Sequence, residues 1–214
     1  MKILAIETAT EICGIGYILD GECIGLMERK TPRAHAEKLP LFYDKLIEET
    51  GIKLKDLDGI AVSIGPGSFT GLRIGLSYCK GLAFSHGIPI IPVPTLEALV
   101  FAKGKIEGTI RILLHSHRET FFQQDFLWKN EQLQNISEID VLEWDEIKCN
   151  FNQEQMIYFF GGEPLVNSLN VSGLKKIQPS AHWIGILAEK NFTEWISDNP
   201  YKLIPDYISP FLIK

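Results

Sequence analysis

The stretch from Gly59 to Gly87 constrains the fold more than any other. It opens on the apolar run GIAVSIG, passes through PGSFTGLRIG and closes on a helical pattern ending at His86 and Gly87. A short apolar run bounded by glycine reads as a buried strand. Four glycines and one proline then fall within Ile64–Gly75, where strand gives way to helix. Ser68 and Thr70 stand at the start of that helix, where a hydroxyl can cap free amides. Further along, Gly71, Gly75, Cys79 and Ala83 recur every fourth residue. Glycine inside a helix costs ~1 kcal/mol relative to alanine, so two on one face imply close approach of another backbone. Packing against the chain's own sheet is the simplest such approach. The other side carries Leu72, Arg73, Leu76 and Lys80, an apolar stripe mixed with charge that either half-buries or meets another protein.

A strand, a glycine turn and a helix also describe a phosphate loop, and two templates test that. A P-loop needs G-x-x-x-x-G-K-[ST], but Leu72-Arg73 follows Gly71. A dinucleotide fingerprint needs G-x-G-x-x-G, and after Gly65 and Gly67 the third glycine comes one residue late. What remains is a tight turn whose glycines supply backbone freedom, with a helix N-terminus that could face an anion.

The flanking sequence fills in a mixed sheet. ILAI, GIGYILD and ECIGLMERK read as three strands, with Asp20-Gly21 as a hairpin turn. His35, Leu39, Phe42 and Leu46 share one helical face, with Pro40 inside the pattern as a kink or a late start and Gly51 as the stop. IPIIPV is a further strand. TLEALVFAKG opens a helix with Thr95 as N-cap and Gly104 as stop. This order gives a mixed sheet flanked by helices. Composition shifts near residue 104, so a first lobe is expected over 1–103 and a smaller second lobe over 104–214. The second lobe carries weaker patterns and a helix around Ala181–Phe192.

Bulk properties exclude several functions. The net charge of −6 and the absence of a basic stripe make the chain alone a poor nucleic-acid binder. Contact with nucleic acid is expected to stay non-specific, ~10⁻⁴ to 10⁻⁶ M. The four cysteines lack C-x-x-C spacing, which suits reduced thiols in the cytoplasm. No apolar run approaches the ~20 residues of a membrane span.

Taken together, AIETAT near the start, GPGSFTGLRIG with KGLAF in the middle and GIPIIPVPTLEAL after them resemble the bacterial TsaB (YeaZ) family. The likeness is close over about the first hundred residues. It implies a two-lobed α/β fold of the actin/Hsp70/sugar-kinase (ASKHA) class. It further implies a non-catalytic subunit that binds and activates TsaD, the transferase forming threonylcarbamoyladenosine beside the anticodon of tRNAs that read A-starting codons. TsaD carries H-x-x-x-H after the strand matching IPIIPV, and here Thr95 and Leu99 stand at those positions. Neither side chain replaces imidazole, so the chain is expected to hold no metal or cofactor of its own, with ATP and a metal ion on partner subunits. TsaD in a heterodimer, TsaE in a larger complex and tRNA through that complex are the implied partners, with a homodimer when TsaD is absent.

The same likeness places a partner interface on the two helices of the first lobe, through His35, Leu39, Phe42, Leu46, Phe69, Leu72, Arg73, Leu76 and Lys80. Glu7, Thr8, Thr10, Gly65, Gly67 and Ser68 stand where the fold class contacts nucleotide or anion. Glu7 and Ala9 replace the usual aspartate and glycine, which makes those contacts vestigial. His115 and His117 alternate on an expected strand, but two ligands do not define a zinc site. No nucleophilic triad is evident. A stand-alone ATPase or kinase of the same fold, and a glycoprotease-like hydrolase, are the competing readings.

Overall fold

The computed structural model describes residues 1–104, 106–130, 132–151, 156–168, 173–197 and 199–208. They form two units. One comprises Met1–Ala98 and Pro179–Asp206, and the other is built on Leu99–Gln178, with Tyr207 and Ile208.

In the first unit, β1 (Lys2–Glu7), β2 (Ile12–Leu19) and β3 (Glu22–Lys30) make an antiparallel meander. Asp20 and Gly21 both take positive φ, 49° and 83°, as a two-residue turn matched to strand twist requires. Helix α1 (His35–Thr50) runs on through Pro40 and stops at Gly51, whose left-handed conformation lets its N–H reach the Ile47 carbonyl. Strand β4 (Gly59–Gly65) lies parallel to β1. Helix α2 (Phe69–His86) follows, then β5 (Ile90–Pro94), parallel to β4, and α3 (Thr95–Ala102). The sheet order is β3-β2-β1-β4-β5.

The central strands are buried on both faces. Leu4 and Ile6 of β1 join the core formed with Leu39, Phe42 and Leu46 of α1 and Leu76, Cys79 and Ala83 of α2. Ala5, pointing the other way, lies beside Gly185 of a later helix.

The second unit is a sheet ordered β11-β10-β6-β7-β8, with β9 also paired to β7. Its strands are β6 (Gly108–His117), β7 (Thr120–Lys129), β8 (Gln132–Asn135), β9 (Asp140–Glu143), β10 (Met156–Phe160) and β11 (Leu174–Lys176). Two short helices, α4 (Trp144–Cys149) and α5 (Glu163–Val166), complete it. Trp144 and Ile147 of α4 pack on Leu113, Phe121, Ile157 and Phe159. On β6 and β7, Arg111 and Asp125 form a bidentate pair at 2.7 Å for each bond.

After β11 the chain returns to the first unit. Helix α6 (Ala181–Lys190) covers the sheet face opposite α1 and α2, and α7 (Phe192–Trp195) follows. The division expected at 103/104 therefore falls at 98/99, and the expected second lobe gives up residues 179–206. The cause is the doubly buried sheet: Ile3, Ala5 and Ile18 are fully buried, and α6 is what covers them. Among the described residues, no helix is long and apolar enough to cross a membrane.

Candidate functional site

The glycine loop is a packing device. Ser68 N–H donates to the Ala9 carbonyl at 2.6 Å, which clamps the turn after β1 onto the start of α2. A Cβ on Gly67 would overlap the Ala9 carbonyl, one on Gly71 the Thr8 carbonyl and one on Gly75 the Thr8 hydroxyl. These glycines let the Thr8–Thr10 turn lie directly on the helix. Gly65, at φ 131°, faces the backbone of Asp206, whose N–H donates to the Ile64 carbonyl. Ser68 caps α2 by accepting from Gly71 N–H at 3.2 Å. Gly71, Gly75, Cys79 and Ala83 are all buried on the inner face of α2.

Of the residues read as nucleotide contacts, Glu7, Thr8, Thr10 and Gly65 are buried, Gly67 is half-buried and Ser68 is exposed. Thr10 Oγ1 accepts from Ile12 N–H at 3.1 Å, while the Ser68 and Gly71 amides bond within the chain. Glu7 is 1% exposed. Its Oε1 accepts from Ala9 N–H at 2.6 Å, and the Ser63 hydroxyl adjoins the carboxyl. Burial pushes the Glu7 carboxyl up to about 8, with the bonds from Ala9 and Ser63 opposing the rise and Glu28 adding to it. Glu7, Gly14 and Glu28 are register partners across β1, β2 and β3, and Ser180 at the start of α6 donates to Glu28 at 2.7 Å.

The helix pair needs the largest correction. Leu39, Leu46, Leu72 and Leu76 are at most 4% exposed, and His35 and Phe42 are buried with them. They are the core of the first unit and cannot meet a partner while it is folded. His35 Nε2 lies 3.3 Å from the Ile12 carbonyl. Lys80 is half-buried and engaged within the chain: its Nζ donates to the Tyr201 and Leu203 carbonyls at 2.9 and 2.7 Å and ties the chain after α7 to α2. Of the expected interface only Phe69 and Arg73 face outward, with the guanidinium 3.6 Å from the ring centroid.

What the outer side presents is a groove between α1 and α2, lined by Ala36, Phe69, Thr70, Arg73, Ile74, Ser77 and Tyr78. Tyr43 of α1 meets Tyr78 edge to face at 6.1 Å. Sequence reasoning missed Ala36, Thr70, Ile74, Ser77 and Tyr78 as lining residues. The signal was present: Thr70, Ile74 and Tyr78 repeat at four-residue spacing, offset from the stripe that faces the sheet.

Elsewhere, Thr95 opens α3, yet its buried hydroxyl has no hydrogen-bond partner, so the expected cap bond is not made. Leu99 is 1% exposed. His115 and His117 are separated by a register shift in β6, which removes simple alternation. The first packs on Phe121 and lies 2.9 Å from the Arg118 carbonyl, while the second pairs with Ser116. Among the described residues no three His, Cys, Asp or Glu side chains are grouped to hold a metal. The residues at the TsaD histidine positions do not fit one either.

Residues 22–147 match the family model described as "TsaD: tRNA N6-adenosine threonylcarbamoyltransferase". The chain is 31% identical over 127 residues to the tRNA threonylcarbamoyladenosine biosynthesis protein TsaB of Haemophilus influenzae, covering 58% of this chain and 53% of that protein. It is 26% identical over 218 residues to TsaB of Bacillus subtilis, covering 97% and 94%. The chain thus spans about half the length of the first relative and nearly all of the second. The structure of YeaZ from Pseudomonas aeruginosa superposes with a TM-score of 0.81 at 22% identity, covering 97% of this chain and 99% of that one. The fold is of the actin/Hsp70/sugar-kinase class.

Proposed function

Because the chain belongs to the TsaB (YeaZ) family, we propose that it serves tRNA threonylcarbamoyladenosine biosynthesis as a non-catalytic subunit that docks on TsaD and activates it. The observation that carries the docking reading is the apolar groove on the outer side of α1 and α2. The segment matched by the TsaD model includes both helices. A TsaD partner therefore offers an equivalent helix pair, and two such pairs pack as a bundle with Phe69, Ile74 and Tyr78 at its centre. A second copy of this chain is the substitute when TsaD is absent.

The non-catalytic role is supported by what stands at the paralogue's metal positions. Threonine and a buried leucine cannot bind the ion, and the glycine loop is closed by the chain's own backbone. ATP, a metal ion and the transfer chemistry then belong to partner subunits, TsaE among them, and tRNA is met through the complex in the cytoplasm.

The test combines two measurements. Pull-down with the cognate TsaD should recover a complex, and threonylcarbamoyl transfer to tRNA should need both proteins. Transfer by TsaD alone at the full rate, or a tightly held metal on this chain at one equivalent, would sink the reading.

A further inference from the structure

Glu7 is a buried carboxyl that the docking role does not use. Among the described residues, no ion pair balances it. Its polar partners are one backbone amide, Ala9 N–H, and the Ser63 hydroxyl from β4. The titratable groups that face it are Glu28 from β3 and Cys13 from β2, with His182 of α6 beyond Glu28. The turn that Glu7 grips is the turn seated on α2. Ala9 N–H donates to Glu7, and the Ala9 carbonyl accepts from Ser68 N–H, so two 2.6 Å bonds run in series from the carboxyl to the first turn of α2. Thr8 lies between them, packed on Gly71 and Gly75.

We propose that Glu7 is a proton-operated latch on the α1–α2 docking face: the neutral carboxyl keeps the Thr8–Thr10 turn seated on α2, and its ionisation unseats the turn and weakens partner binding. This rests on the docking reading above.

The balance of forces sets the direction. An ionised Glu7 strengthens one bond, to Ala9 N–H. It loses its hydration and faces a second carboxylate at Glu28. Desolvation is the larger effect here, and burial holds the acid neutral up to about pH 8. Water relieves the charge only by reaching the carboxyl, and the Ala9 N–H bond ties that carboxyl to the Thr8–Thr10 turn. The turn cannot lift without pulling Ala9 from Ser68 and Thr8 from Gly71 and Gly75. Those contacts fix the first two turns of α2, which carry Phe69, Thr70, Arg73 and Ile74 of the groove.

The test is an NMR titration of the full chain from pH 6 to 9.5. The side-chain carboxyl carbon of Glu7 and the amides of Ala9, Ser68 and Gly71 should shift with one shared midpoint. In Glu7→Gln, whose amide keeps an acceptor for Ala9 N–H, the three amides should stay flat. In Glu28→Gln they should still titrate. Affinity for TsaD, measured on the same proteins, should fall about ten-fold from pH 6.5 to pH 9 in the unmodified chain and change less than two-fold in Glu7→Gln. A carboxyl carbon that titrates below pH 6, amides that titrate without Glu7, or a pH-dependent affinity that survives Glu7→Gln each overturns the latch. The carbon titration needs no variant, so a Glu7→Gln that fails to fold does not remove the test. If TsaD binds at no pH, the docking reading falls, and the amide titration still decides whether the turn is held by Glu7.

Discussion

The inner and outer faces of α2 answer to different forces. The inner face is small residues, buried and pressed by backbone: Gly71 and Gly75 under Thr8, then Cys79 and Ala83. The outer face is mixed, with Phe69, Arg73, Ile74, Ser77 and Tyr78 along a groove beside α1. Between them lie Leu72 and Leu76, which periodicity alone could assign to either side and which burial assigns to the core. One helix thus carries a surface fixed by its own chain and a surface left open to another. Only the first is fully determined by folding energetics.

The sharpest way to break this contrast is to place a charge on the inner side. Leu76 is 4% exposed and packed in the apolar core. Leu76→Glu should therefore lose more than ~4 kcal/mol of stability, the range of a buried unpaired charge. Circular dichroism and urea unfolding should show an unfolded or barely folded chain. A folded variant that merely loses TsaD would return Leu76 to the interface. Gly71→Ala adds one methyl against a backbone oxygen that cannot turn aside. It should cost ~3 kcal/mol through overpacking, read as a lower urea midpoint at unchanged slope.

Glu7 gives the contrast a pH dependence. Its folded value, about 8, lies above the ordinary 4.5, so between these the folded state holds a proton that the unfolded state has lost. Stability from this group is fully present below pH 4.5, declines as pH rises and is lost through about pH 8. Glu7→Gln should flatten that decline, so the difference in urea midpoint between variant and parent should move in the variant's favour from pH 5 to pH 9. A difference independent of pH would mean that Glu7 is already ionised in the folded chain.

A charge on the outer face should do the reverse of Leu76→Glu. Ile74 and Tyr78 are half-buried, and each keeps one side in the groove. Ile74→Glu should weaken TsaD binding ten-fold or more, ~1.4 kcal/mol, through loss of part of a buried apolar contact. Its urea midpoint should stay near that of the parent. Unchanged affinity in calorimetry for both Ile74→Glu and Tyr78→Glu would place the interface elsewhere.

Much of the inner face was legible in the sequence, because its causes are local. The Asp20-Gly21 hairpin, the Ser68 cap and the Gly71–Ala83 ridge each follow from backbone conformation or spacing within a few residues. The outer face was not, because a helical period says which residues share a side and not what that side meets. His35, Leu39, Phe42 and Leu46 form one clean stripe, and the stripe belongs to the sheet. Lys80 shows the same limit: its partners, the carbonyls of Tyr201 and Leu203, come from the far end of the chain. The return of α6 to the first unit has no local signal either. It is required by buried residues on β1 and β2, at the opposite end of the chain. Glu7 looked like a worn nucleotide contact because fold class suggests one, and only tertiary contacts reveal a buried carboxyl bonded to the turn after β1.

The smallest effect concerns the point where the turn meets the inner face. Thr8 is fully buried, and its Oγ1, directed at Gly75, has no hydrogen-bond partner. A buried hydroxyl without a partner carries its desolvation penalty uncompensated. Valine keeps the branched shape and removes the polar atom. Thr8→Val should therefore stabilise the chain by ~1 kcal/mol, raising the melting temperature by ~2–4 °C for a protein of this size. The gain should be independent of pH, because the Glu7–Ala9 and Ala9–Ser68 bonds use backbone groups that the substitution leaves in place. Scanning calorimetry at pH 6 and pH 9 reads both features together. A lower melting temperature would show that the hydroxyl holds the turn on α2 through a bond of its own. A gain confined to high pH would show that Thr8 responds to the charge on Glu7, making the seat of the turn, and not the helix ridge, the point where the two faces are coupled.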